Sequence, residues 1–155
     1  MLLPFDSVVR RGVILLWKRY AELDDPVLAG QSKAKFLIVL SASPHDDPIV
    51  YILTTSQKPK HIAHPAPQDL LHLLPGAYEC FTVDTLVDCG TAGEREVGRR
   101  ELQALYEAGE VAYKGALSDD HCAQLMHKTA GSSRATRRVK RILGLGPAAG
   151  LDGSV

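Results

Sequence analysis

Cysteine is scarce in this chain: Cys80, Cys89 and Cys122 are the only three of 155 residues, and no two form a CxxC pair. An odd count without paired spacing argues against a disulfide framework and a structural zinc site. The three read instead as reduced, mostly buried thiols. Net charge is also missing, because 18 basic residues balance 18 acidic ones. No overall field therefore draws the molecule to nucleic acid or to an anionic membrane, and any such attraction has to be local. Long apolar runs are absent too. The two clearest, Val13–Trp17 and Phe36–Leu40, are five residues each, where a bilayer span needs about 20. No basic leader precedes an apolar stretch, and Pro4 and Asp6 interrupt the N-terminal residues early. The expectation is a chain with no signal peptide and no membrane partner, working in the cytoplasm. Phosphate-loop, dinucleotide and hydrolase-elbow patterns (GxxxxGK followed by Ser or Thr, GxGxxG, GxSxG) are lacking as well.

What is present suits one globular domain. Apolar residues make up 45% and charged residues 23%, which rules out a disordered chain, a collagen or a coiled-coil rod. The first half reads as strands: residues 12–17, then residues 35–41 and 49–55, the last two joined by a polar turn at His45-Asp46-Asp47-Pro48. Their continuous apolar character predicts strands covered on both sides, as in a central strand or a tightly curled barrel. Residues 22–32 read as a loop. Residues 57–72, with Pro59, Pro65 and Pro67, read as an irregular surface loop, because proline cannot donate to a sheet ladder. Residues 78–89 resume an extended pattern with an imperfect period of two. Residues 99–108 form a short helix stopped at Gly109, and residues 110–117 a last strand. Ser118-Asp119-Asp120 opens a helix whose Cys122, Leu125, Met126 and Thr129 share one face. After a break at Gly131-Ser132-Ser133 a second helical piece runs to Ile142-Leu143. The predicted organisation is one domain over residues 1–143, mainly β with packed helices (α+β), and a flexible tail over residues 144–155.

Chemistry concentrates in few places. Six histidines invite a metal, but His61 and His64, or His121 and His127, supply no local set of three or four convergent ligands. No metal and no cofactor is expected. Between Lys128 and Arg141 stand six basic residues and no acid, which reads either as a phosphate-binding surface or as a solvated helix face. The remaining cluster lies at strand ends. Lys33 and Lys35 enter the second strand, Thr54, Thr55 and Ser56 end the third, and Lys58 follows. In a closed hairpin, counting back from the turn brings Lys35 beside residues 54–58. Hydroxyls and ammonium groups converging at one rim suit an oxyanion or a phosphate. The plainer alternative is hydroxyls that terminate a strand and lysines that keep its edge soluble.

The order of these pieces resembles the PemK/MazF-like toxins of type II toxin–antitoxin systems. It runs from Gly12-Val13-Ile14-Leu15-Leu16 through Lys35-Phe36-Leu37-Ile38-Val39-Leu40-Ser41 to Ile52-Leu53-Thr54-Thr55-Ser56. Later segments are similar to longer relatives: residues 81–89, then Gly115-Ala116-Leu117-Ser118, then a helix carrying Ser132-Ser133. The resemblance covers roughly residues 10–143. It implies a small SH3-like barrel with packed helices, a homodimer, and metal-independent cleavage of single-stranded RNA. In that reaction a ribose 2′-hydroxyl attacks the adjacent phosphate and leaves a 2′,3′-cyclic phosphate; a cognate antitoxin protein would cover the rim. Carried onto this chain, the family's arginine before proline falls on Lys35, followed by Phe36, and its strand-end threonine on Thr54. Gln31 matches the family's loop, where glutamate is replaced by Gly30, and its opening aspartate is replaced by Val13. Lysine keeps the charge but loses the two-pronged fork that suits phosphate. The resemblance thus implies Lys35 and Thr54 as catalytic residues and Gln31, Lys33, Thr55, Ser56 and Lys58 as RNA contacts. The competing expectation is a non-catalytic barrel module that binds RNA or a protein partner.

Overall fold

The computed structural model describes residues 2–21, 32–41, 43, 45–56 and 66–145. Strand β1 (Val13–Ala21) opens the sheet and pairs antiparallel with β2 (Ser32–Val39) and β7 (Val111–Ala116). β3 (Ile49–Thr55) pairs antiparallel with β2, in the register Leu37↔Leu53 to Val39↔Tyr51. The predicted hairpin is there, and the third strand has the expected bounds. β3 shares its other edge between two short strands. Its start pairs with β6 (Arg95–Val97), and its end, at Thr54 and Thr55, pairs with β5 (Thr85–Asp88). β4 (Leu70–Leu73) then pairs with β5. The path β4-β5-β3-β2-β1-β7 carries seven strands with β6, every pairing described is antiparallel, and the path is not closed into a ring. The architecture is α+β and mainly β.

Alternation divides the sheet into two cores, because successive side chains of a strand point to opposite faces. Ile14, Ile38, Val50 and Ile52 face one way, against Leu125 and Val139. Those two come from helices α3 (Asp119–Gly131) and α4 (Arg137–Ile142). Leu15, Leu37, Val39 and Tyr51 face the other way, against Leu102 and Tyr106 of α2 (Arg99–Glu107) and Phe5 and Val8 of the one-turn α1 (Phe5–Val8). Both sides of the central strands are covered, as their unbroken apolar runs predict. Gly12 joins α1 to β1 at φ +89°, and a Cβ there would lie 2.6 Å from Cys122 Sγ. That position needs glycine for its backbone and for its space.

The C-terminal helices sit as read, with Leu125 and Thr129 buried and Cys122 and Met126 half-buried. Three readings need correction. Residues 66–72 are not irregular: a 3-10 turn, Pro67–Asp69, leads into β4. Pro67 precedes the strand, so it interrupts no ladder. Of residues 78–89, only Thr85–Asp88 pairs as a strand, with Tyr78↔Phe81 an isolated bridge. β6 lies in a stretch given no element from sequence. Asp88 separates it from β5: its side chain accepts the Gly90 N–H at 3.0 Å and its carbonyl the Thr91 hydroxyl at 2.8 Å, closing the 3-10 turn Cys89–Thr91. Most of the predicted loop 22–32, residues 57–65 and residues 146–155 of the tail lie outside the described residues. Among the described residues no helix is long and apolar enough to cross a membrane.

Candidate functional site

One end of the sheet gathers the start of β2, the end of β3, the start of β5 and the connection before it. A cavity of about 240 Å³ lies there, and its wall includes Lys33, Lys35, Thr54, Thr55 and Ser56. Five of the seven residues singled out from sequence thus line one space. The other two, Gln31 and Lys58, lie outside the described residues. The register explains the convergence. Continued outward from Leu37↔Leu53, it sets Phe36 beside Thr54 and Lys35 beside Thr55. Thr54 Oγ1 donates to the Phe36 carbonyl at 3.4 Å, so the two strands still run together there. Thr54 is buried, with 7% of its surface exposed. Its hydroxyl is turned to the neighbouring strand, and Thr55 and Ser56 stand further out.

The opposite wall was not foreseen. Cys80, Phe81, Thr82, Val83 and Thr85 line it. Phe81 is buried and meets Phe36 edge-on, with ring centroids 5.1 Å apart. This aromatic contact seats the connection against β2. Thr85 Oγ1 donates to the Val83 carbonyl at 3.1 Å. The Cys80 thiol has its pKa raised, chiefly by burial, so it stays protonated at neutral pH and is a poor nucleophile. Of the extended pattern read over residues 78–89, only Thr85–Asp88 is a strand; that the connection before it lines the lysine–threonine rim is not legible, because sequence spacing carries no information on which connection covers a strand end.

At the same end stands a carboxylate–imidazole pair. His72 Nε2 lies 2.8 Å from Asp84 Oδ1, the histidine side chain 45% exposed and the aspartate 27%. Sequence reading passed over both, His72 because it fell in the supposed loop.

The basic run near the C-terminus is largely engaged within the chain. Arg134 joins Asp69 at 2.8 Å and Asp88, Arg138 meets Glu96 at 2.7 Å, and Lys140 donates to the Ser132 carbonyl at 2.9 Å. Lys128 donates to the Gln68 carbonyl at 3.3 Å. These contacts tie α3 and α4 to the sheet. Among the described residues no three His, Cys, Asp or Glu side chains come together as metal ligands. No protein-family model and no curated protein sequence matches the chain.

Proposed function

We infer that the cavity at the strand ends binds the phosphate of a single-stranded RNA, and that the protein cleaves this RNA without a metal. The observation that carries the reading is the convergence of Lys33 and Lys35 with Thr55 and Ser56 on one wall of a single cavity. Two ammonium groups and two hydroxyls carried at the ends of neighbouring strands, whose backbones lie about 4.8 Å apart, suit the demands of a phosphate and of the extra charge on a phosphorane. In this reading Lys35 clamps the charge and protonates the leaving oxygen, Thr54 and Thr55 hold phosphate oxygens, and Ser56, Lys33, Gln31 and Lys58 contact the RNA backbone. The resemblance to PemK/MazF-like toxins, with its SH3-like barrel, homodimer and antitoxin partner, is part of the same proposal.

A second reading has its own observation. Thr54 is buried and its hydroxyl serves the Phe36 carbonyl, which suits a barrel module that binds RNA or a protein without cutting.

One assay separates them. Purified protein in EDTA is incubated with mixed single-stranded RNAs, and product ends are analysed. The expected fragments end in 2′,3′-cyclic phosphate and disappear with Lys35→Ala. Intact RNA from folded protein freed of any partner supports the binding module instead.

A further inference from the structure

We propose that the interior of this cavity takes one nucleobase of the RNA, stacked on Phe36 and met at its edge by the Thr85 hydroxyl, while the phosphate stays at the rim. The inference rests on the RNA-binding part of the reading above and holds whether or not the strand is cut.

Alternation separates the interior of the cavity from its rim. Thr54 pairs with Val87, and Val87 belongs to the core beneath the sheet. Thr54 therefore faces that core, and so does Thr85, two residues from Val87 on the same strand. Phe36 packs against the same core, as does Cys80. Lys35 and Thr55 alternate with Phe36 and Thr54 along their strands and stand at the rim. The interior is left to Phe36, Thr54, Cys80, Phe81 and Thr85, none of them charged. Burial keeps the Cys80 thiol protonated, so it adds no charge at neutral pH.

Such an interior suits a phosphate poorly and a base well. An anion drawn in from the rim would give up water and meet no cation inside. Thr85 is 4% exposed, and its hydroxyl spends its hydrogen on the Val83 carbonyl at 3.1 Å. Toward the cavity it can offer only lone pairs. These repel a phosphate oxygen but accept from a ring N–H or an amino group, and every RNA base carries one on its pairing edge. Phe36 is half-buried where its edge-on partner Phe81 is buried, so part of an aromatic ring is open for a base to stack on. Val83, 55% exposed, adds an apolar lip. The cavity's volume of about 240 Å³ is the share of roughly eight waters, room for a single base. Only an unpaired strand can turn a base out in this way.

The test uses the full chain and labelled 2′-O-methyl octamers of A, C and U, which 2′-hydroxyl attack cannot cut. An abasic 2′-O-methyl strand of the same length and charge is the comparison, and fluorescence anisotropy reads the binding. Expected is that at least one base-bearing strand binds about 5- to 150-fold tighter than the abasic strand, the worth of one stacked base. Phe36→Leu, which keeps an apolar side chain but removes the ring, should bring that ratio toward one. Thr85→Val, of nearly the same shape, should change the order of preference among A, C and U. Circular dichroism checks that both variants fold, and the wild-type comparison needs neither. An abasic strand bound as tightly as the others by wild type would overturn the base pocket and leave the phosphate reading standing. Folded Phe36→Leu and Thr85→Val with wild-type ratios would overturn it too, placing the bases elsewhere. Absence of binding to every strand, unmodified RNA included, overturns the RNA reading along with it.

Discussion

Arg134 is the side chain on which the most depends at the scale of single residues. Its guanidinium reaches Asp69 and Asp88 at once, and Ser132 Oγ donates to the same Asp69 oxygen at 2.7 Å. Asp69 is only 2% exposed, so its charge needs those partners. Gly90 makes the room, since a Cβ there would come within 2.3 Å of the guanidinium. Arg134→Ala should cost about 3 kcal/mol, the low end for an orphaned buried charge because the arginine itself is partly exposed; urea denaturation measures it. Thiol titration gives a second test. Burial pushes the Cys89 pKa up to about 12, above its unfolded value of about 8.5. The unfolded chain then loses its proton first, so this contribution to stability is full below about pH 8.5 and is lost as pH rises toward 12. At neutral pH, alkylation followed by mass spectrometry should label Cys80 and Cys122 well before Cys89.

At the scale of elements, the start of α3 shows how a connection is anchored. Ser118 Oγ accepts the His121 N–H at 3.1 Å, and the Tyr78 hydroxyl, 2.7 Å from His121 Nδ1, accepts the Ser118 N–H at 2.7 Å. Tyr78 also packs against Phe81, which packs against Phe36 of the cavity wall. The helix cap and the cavity connection thus hold each other. Ser118→Ala should cost about 1 kcal/mol. With Tyr78→Phe it should be non-additive in a double-mutant cycle of thermal stability, because the two share partners. The cap was legible as a serine followed by two aspartates. Its tyrosine partner, 40 residues earlier, was not, since only tertiary packing brings it there.

For the whole molecule, zero net charge leaves binding to local cations. If Lys33 and Lys35 neutralise two phosphates, log K for single-stranded RNA should fall against log salt with a slope of about −1.4. Lys35→Ala should bring it to about −0.7, and fluorescence anisotropy across a salt series measures both. A slope unchanged by that variant would place the RNA elsewhere on the surface. The sheet is open between β4 and β7, and helices seal both its faces, so its stability comes from two cores. The unbroken apolar runs of β2 and β3 predict that double burial.

Local information lay within single segments: the hairpin, the two-sided burial of its strands, the helix at 99–107, the capped α3 and the strand-end cluster of lysines and hydroxyls. Each follows from backbone geometry acting over a few residues, so pattern alone determined it. β4 and β6 have four and three residues, too short for a periodic signal, and exist because β5 and β3 offer them an edge. Tertiary structure decided the rest: that residues 80–85 wall the cavity, that Arg134 spans two carboxylates, and that His72 meets Asp84. Such contacts join residues 12 to 65 positions apart, and nothing in the spacing of a chain records which distant segments its cores will press together.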